Sequence, residues 1–255
     1  MTEIHRNVAI RPARIFTLLM LMTSALSITN IGVQVLRYRF SQLVPTSLLN
    51  LFDLNREANI PTLFSVLLLA IATLLLSLIA SNARILAQSF ARHWMALAII
   101  FGCLTVDEFV QIHELVSSLL ATALQIDGVR SYYVWVLPFL GLVLIFVFAF
   151  VRFLSHLPPS FRVKFCLAGA LYVGGALGVE ALSAVHATAF GIQNLPHTII
   201  YTVEEFLEMS GVILFITALL GYIEAQTPKL TFVAQYVQPA STSVGSHQKP
   251  AIERR

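Results

Sequence analysis

Four ionisable side chains crowd into one otherwise apolar stretch: Asp107, Glu108, His113 and Glu114, in T-V-D-E-F-V-Q-I-H-E-L. A second group, Glu204, Glu205 and Glu208, lies in Y-T-V-E-E-F-L-E-M-S-G, and Glu180 stands in Y-V-G-G-A-L-G-V-E. Carboxylates with imidazole form a donor set for borderline-to-hard cations, so iron, manganese or zinc fits better than a thiolate-bound metal. A bound divalent metal would activate water or support redox chemistry. The same groups serve membrane proton relays and cation pathways. The spacing is D-E-x4-H-E and E-E-x-x-E, not the Glu-x-x-His of carboxylate-bridged dinuclear bundles.

The elements that carry these residues follow from composition. The chain has 255 residues, 57% of them hydrophobic and 11% charged, with a mean hydropathy of +0.81. A soluble domain carries about 25% charge. Several apolar runs of about the length that crosses a bilayer define an all-α polytopic membrane helix bundle. Short alternating segments of the barrel type are missing. Six spans are expected at about 15–36, 61–80, 94–124, 132–154, 165–190 and 198–222, with Pro61 at a helix start, where its missing N–H is harmless. Residues 1–14 form an N-terminal segment, and 224–255 read as a disordered polar tail. The mixed segment between Arg37 and Ile60 is expected to hold a short interfacial helix. Cys103 and Cys166 lie in apolar spans, without disulfide or zinc spacing, and read as small packing residues.

Twelve Lys and Arg fall in the two terminal segments and in the loops on their side, against four (Arg37, Arg39, Arg56, Arg130) on the other side. The positive-inside rule makes both termini cytoplasmic, in a bacterial inner membrane. With basic residues gathered in loops and tail, the net charge of +3 carries no sign of nucleic acid; the partner in view is the lipid bilayer. Seven of the thirteen acids lie inside predicted spans. At about 1.5 Å per residue, Asp107 to Glu114 sit roughly 20–30 Å from the cytoplasmic side, Glu180 roughly 22 Å, and Glu204 to Glu208 roughly 9–15 Å below the outer surface. All fall in the outer half of the bilayer. At about 100° per residue, Asp107, Gln111, Glu114 and Ser118 form one stripe, extended by Cys103, and His197, Tyr201, Glu204, Glu205 and Glu208 form another. Glu108, His113 and His186 are oblique to these stripes. Gly174-x-x-x-Gly178 offers close helix approach beside Glu180.

A lone acid at mid-membrane costs roughly 2.5–3.5 kcal/mol, so seven would cost on the order of 20 kcal/mol. They are therefore protonated, hydrogen-bonded, hydrated in a cavity, paired with Arg37, Arg39 or Arg130, or neutralised by metal. The leading expectation is a divalent-metal pocket. Asp107, Glu114, Glu180, Glu205 and Glu208 would be ligands, and Glu108, His113 and Glu204 further ligands or their supports. Gln111, Tyr201, His186 and His197 would surround them. A proton- or cation-coupled transporter, and a non-catalytic subunit that binds a partner or lipid, remain as alternatives. Whether the chain is an enzyme stays open.

The motifs D-E-x4-H-E, G-G-A-x-G-x-E and E-E-x-x-E-M-x-G, in that order over Trp94–Tyr222, resemble a family of uncharacterised bacterial multi-pass membrane proteins. The resemblance implies a shared site at Asp107, Glu108, His113, Glu114, Glu180, Glu204, Glu205 and Glu208. It implies a bacterial origin and names no reaction.

Overall fold

The structure is a computed structural model that describes residues 11–40 and 44–226. The expectations for most of the N-terminal segment and for the polar tail beyond Gln226 lie outside the described residues. Nine α-helices follow in order among the described residues: α1 (Pro12–Arg39), α2 (Thr46–Phe52), α3 (Ile60–Ile85), α4 (Ala91–Val110), α5 (Ile112–Leu124), α6 (Val136–His156), α7 (Pro159–Val173), α8 (Glu180–Phe190) and α9 (Leu195–Gln226). A 3-10 segment, Gly128–Tyr133, precedes α6, and a π-helical segment, Gly174–Val179, joins α7 to α8. Six helical stretches are long and apolar enough to cross a membrane.

The centre of the bundle is α9, the most buried span, which packs against α1, α3 and α7. Leu68, Leu69, Ala72 and Leu76 of α3 meet Met209, Ile213, Ile216 and Leu219 of α9 in a tight apolar block. At the end where α4 begins and α9 finishes, Trp94 packs edge-on against Phe153 and Phe165 and lies beside Tyr222. In contrast, the buried positions of α1 are Thr23, Ser27, Asn30 and Gln34, while Leu18, Leu21 and Ile28 point outward. Inside a bilayer the outside is as apolar as any core, so small and polar residues mark the helix-facing side. Asn30 Nδ2 donates to Thr202 Oγ1 at 2.8 Å, and the Tyr38 and Thr198 hydroxyls lie 3.5 Å apart. These contacts bring the end of α1 to the start of α9, so the two helices run antiparallel.

Three expectations change here. The long third span is broken at Gln111, whose backbone is left-handed (φ 62°, ψ 45°), so the stripe Asp107–Gln111–Glu114–Ser118 does not continue across it. Gly174 and Gly178 face open space, and the close approach is made by Gly175. A Cβ there would sit 2.8 Å from Glu204 O and 2.9 Å from Glu208 Cγ. The π-helical turn explains the shift, because an extra residue per turn rotates the glycine face by one position. Gly211 plays the same part in the other direction, against Ala168 and Tyr172 of α7. Cys103 and Cys166 are exposed on the outside of the bundle and do not pack within it.

Candidate metal centre

The site begins with the break in the third span. After α4 ends, the Asp107 carboxylate reaches forward, and Oδ1 accepts the backbone N–H of His113 at 2.8 Å. This satisfies one of the orphan donors at the start of α5. Asp107 Oδ2 lies 3.2 Å from His113 Nδ1. A carboxylate only accepts, so Nδ1 carries the proton, and in the neutral ring Nε2 then offers its lone pair. A carboxylate behind the imidazole is the usual support of a metal-binding histidine. Asp107, expected among the ligands, is committed to this support, and His113, expected to be oblique, is brought inward by the break.

Nε2 of His113 points toward a residue outside the two acidic motifs. Glu57 lies in the loop between α2 and α3, and its Oε1 is 3.8 Å from His113 Nε2. One ligand atom each from Glu57, His113 and Glu114 falls within 4.8 Å of the others. Ligands about 2.0–2.2 Å from a common ion stand no more than about 4.4 Å apart, close to the separation of these atoms, so the group could hold a cation. Burial raises the Glu57 carboxyl to about 7, above the ordinary range, with the neighbouring carboxylates of Glu108 and Glu114 adding to the rise and His113 opposing it. The Gln111 amide, at the left-handed break, is a polar neighbour of Glu57.

The loop that presents Glu57 is firmly built. Asn59 accepts the Thr62 N–H at 3.1 Å as the N-cap of α3, just ahead of Pro61. Its amide donates to Asp53 O at 2.7 Å and Arg56 O at 2.8 Å. The loop is also tied to the bundle: Leu54 N donates to Asn30 Oδ1 at 3.4 Å, and Tyr201 Oη donates to Asp53 Oδ1 at 3.2 Å. Tyr201 thus holds the Glu57 loop instead of serving the carboxylates of α9. The signal for Glu57 was present in D-L-N-R-E-A-N-I-P, a dense polar run that ends in a helix-start pattern. It lies outside every span, where the cost of charge in lipid does not mark an acid.

The remaining acids approach the trio from the other side. Glu180, Glu204 and Glu205 line the same cavity of about 1240 Å³ as Glu57, His113 and Glu114. Glu108 and Glu208 line a smaller chamber of about 180 Å³ further in, which shares Glu57, His113, Glu180, Glu204 and Glu205 with the first. Glu180 and Glu204 are adjacent, with the Trp135 indole beside Glu180, and Ser65 is beside Glu108. Two adjacent carboxyls hold a shared proton or a cation between them in preference to two full charges. Glu57 Oε2 and Glu204 Oε2 are buried without a hydrogen-bond partner. Among the described residues no Lys or Arg nitrogen lies within ion-pair distance of these carboxylates; His113 lies 3.2 Å from Asp107 and 3.8 Å from Glu57. Arg37 turns to Gln34 and Tyr38.

His186 and His197 form a separate pair, with rings stacked at 6.0 Å. Asn194 joins them, lying 2.9 Å from His186 Nε2 and accepting the His197 N–H, so that it caps α9. His197 reaches the cavity wall, and His186 does not line it.

Residues 13–222 match a family model described as a domain of unknown function (DUF8692). No curated protein and no solved structure matches the chain.

Proposed function

We propose that the chain, which belongs to this family of unknown function, is an integral membrane metalloprotein. Glu57, His113 and Glu114 hold a divalent cation, and the metal serves chemistry on a ligand that enters the adjoining cavity. The observation that carries this reading is the convergence of three ligand atoms within 4.8 Å, with Asp107 fixing the His113 tautomer behind them. Oxygen-rich donors with one imidazole suit manganese, iron or zinc. Glu180, Glu204 and Glu205 are placed to hold a second cation or to move protons for the first. On the Lys and Arg distribution, the protein lies in a bacterial inner membrane with cytoplasmic termini and a cavity open to the outside.

Elemental analysis of detergent-purified protein after supply of manganese, iron and zinc tests this. The expected result is about one metal per chain in the parent and its loss in Glu57→Gln/Glu114→Gln, as expected when first ligands are removed. Equal metal content in the two proteins, or none in either, would overturn it.

A second reading, a proton relay, draws on the continuity of acids from Glu114 through Glu180 and Glu204 to Glu208. Against it stands the apolar block of α3 and α9 between Glu208 and the far end of the bundle, which offers no polar path. Flux across liposomes that is abolished in Glu208→Gln would favour the relay.

A further inference from the structure

The two linked cavities share Glu57, His113, Trp135, Glu180, Glu204 and Glu205, and the inner one adds an apolar wall that the outer one lacks. The outer one is walled by polar loops and carries six acids: Glu57, Glu114, Asp127, Glu180, Glu204 and Glu205. Among the described residues no Lys or Arg lines it; Arg130 is exposed nearby and is not part of the wall. With Glu57 and Glu114 given to a metal, an excess of negative charge remains, and the buried Glu204 Oε2 has only the Glu180 carboxyl beside it. Tyr132, Tyr133 and Trp135 add aromatic faces. A cation beside aromatic rings and carboxylates is favoured, while an anionic head would meet uncompensated repulsion.

The inner chamber adds Arg56, Asp107, Glu108 and Glu208 to the shared acids on its polar side, and it has an apolar side made by Leu104 of α4, Phe139 and Val143 of α6, and Val173 and Ala176 at the end of α7 and in the π-helical segment. Helix α6 is anchored at its ends, by Trp135 beside His113 and by Phe150 and Phe153 against His93 and Trp94. Its middle is open, with Leu142 59%, Ile145 67% and Phe148 80% exposed to the surroundings, which for a span are lipid chains. A ligand that occupies both cavities has a polar end among carboxylates and an apolar end in a slot beside α6. The 180 Å³ chamber holds only part of a hydrocarbon chain, so the rest continues into the bilayer.

We propose that the site takes an ammonium-bearing amphiphile, its head among Glu180, Glu204 and Trp135 and its chain leaving between α4 and α6. This names a ligand class for the cavity of the proposed metal centre, but binding of the head uses acids outside the Glu57–His113–Glu114 set.

The test uses full-length protein in phosphatidylcholine vesicles and brominated dodecyl amphiphiles that differ only in an ammonium, hydroxyl or sulfate head. Bromine quenches nearby indoles; the chain has two Trp, and subtraction of a Trp135→Phe variant removes the contribution of buried Trp94. Saturable quenching of Trp135 is expected for the ammonium compound at about tenfold lower concentration than for the sulfate, the ratio given by about 1.4 kcal/mol of cation preference. Glu204→Gln should reduce that preference. Val143→Phe, on the chamber side of α6, should weaken the dodecyl compound and leave competition by tetramethylammonium unchanged. Linear quenching that is equal for all three heads would overturn the proposal, as would a sulfate preference or tetramethylammonium binding as tightly as the dodecyl compound. Each titration is run on metal-supplied and chelator-treated protein. Ammonium preference in a protein that takes up none of the supplied metals would refute the metal centre alone, and metal uptake without ammonium preference would refute this inference alone.

Discussion

The Asp107 carboxylate holds the backbone N–H and the ring of His113, and Glu57 faces that ring from the other side. Asp107 caps α5 and orients His113, so Asp107→Ala is expected to cost about 1 kcal/mol of stability, the usual loss of an N-terminal cap. It should also weaken metal binding about 10- to 100-fold by freeing the imidazole. Thermal melts and metal titrations of the same variant separate the two effects. Glu57 carries a pH signature. Its carboxyl rises from the ordinary value of 4.5 to about 7 in the folded protein, so the folded state holds this proton more tightly than the unfolded one. The contribution to stability is full below pH 4.5 and is lost as pH rises through 7. Metal needs the ionised carboxylate, so metal affinity should increase over the same interval and level off above it. Affinity measured at pH 6 and pH 8 checks this, and a Glu57→Gln variant should lose the dependence.

At the level of elements, irregular helix carries the site. The left-handed residue at Gln111 turns α5 so that His113 faces inward, and the π-helical turn at Gly174–Val179 turns Gly175 onto α9 and sets Glu180 beside Glu204. Single-turn π segments inside helices commonly mark functional positions. Gly175→Ala would place a methyl group 2.8 Å from a backbone carbonyl, and overpacking of this kind costs about 1–3 kcal/mol. The neighbouring Gly174→Ala meets nothing within 4 Å and should be neutral or stabilising. A difference in melting temperature between the two alanine variants is the measurement; equal behaviour would remove the role assigned to Gly175.

For the whole molecule, the polar half and the apolar half have separate duties. The block of α3 and α9 and the aromatic cluster around Trp94 close the end where α4 begins and α9 finishes, and the loops at residues 53–59, 125–133 and 191–194 surround the open one. The basic residues predict that the open end faces away from the cytoplasm. In a variant whose two exposed cysteines, Cys103 and Cys166, are replaced by serine, a cysteine at Asp127 should react with an impermeant thiol reagent in intact cells. A cysteine at Gln88, in the loop between α3 and α4, should react only after lysis. The reverse pattern would invert the topology.

Hydropathy, set by composition alone, made the six spans legible, and the cost of charge in lipid singled out the acids on α4, α5, α8 and α9. Local sequence could not reveal the break at Gln111, because neither glycine nor proline marks it; it is stabilised by a side chain four residues earlier and by tertiary packing. Nor could it reveal Glu57, an acid in a loop that needs no explanation until Asn30, Asn59 and Tyr201 fold that loop over the cavity. The expected roles of Asp107 and Tyr201 changed for the same reason. Residue type limits what a side chain can bind, but which partner it meets depends on backbone turns and long-range contacts that only the folded bundle supplies.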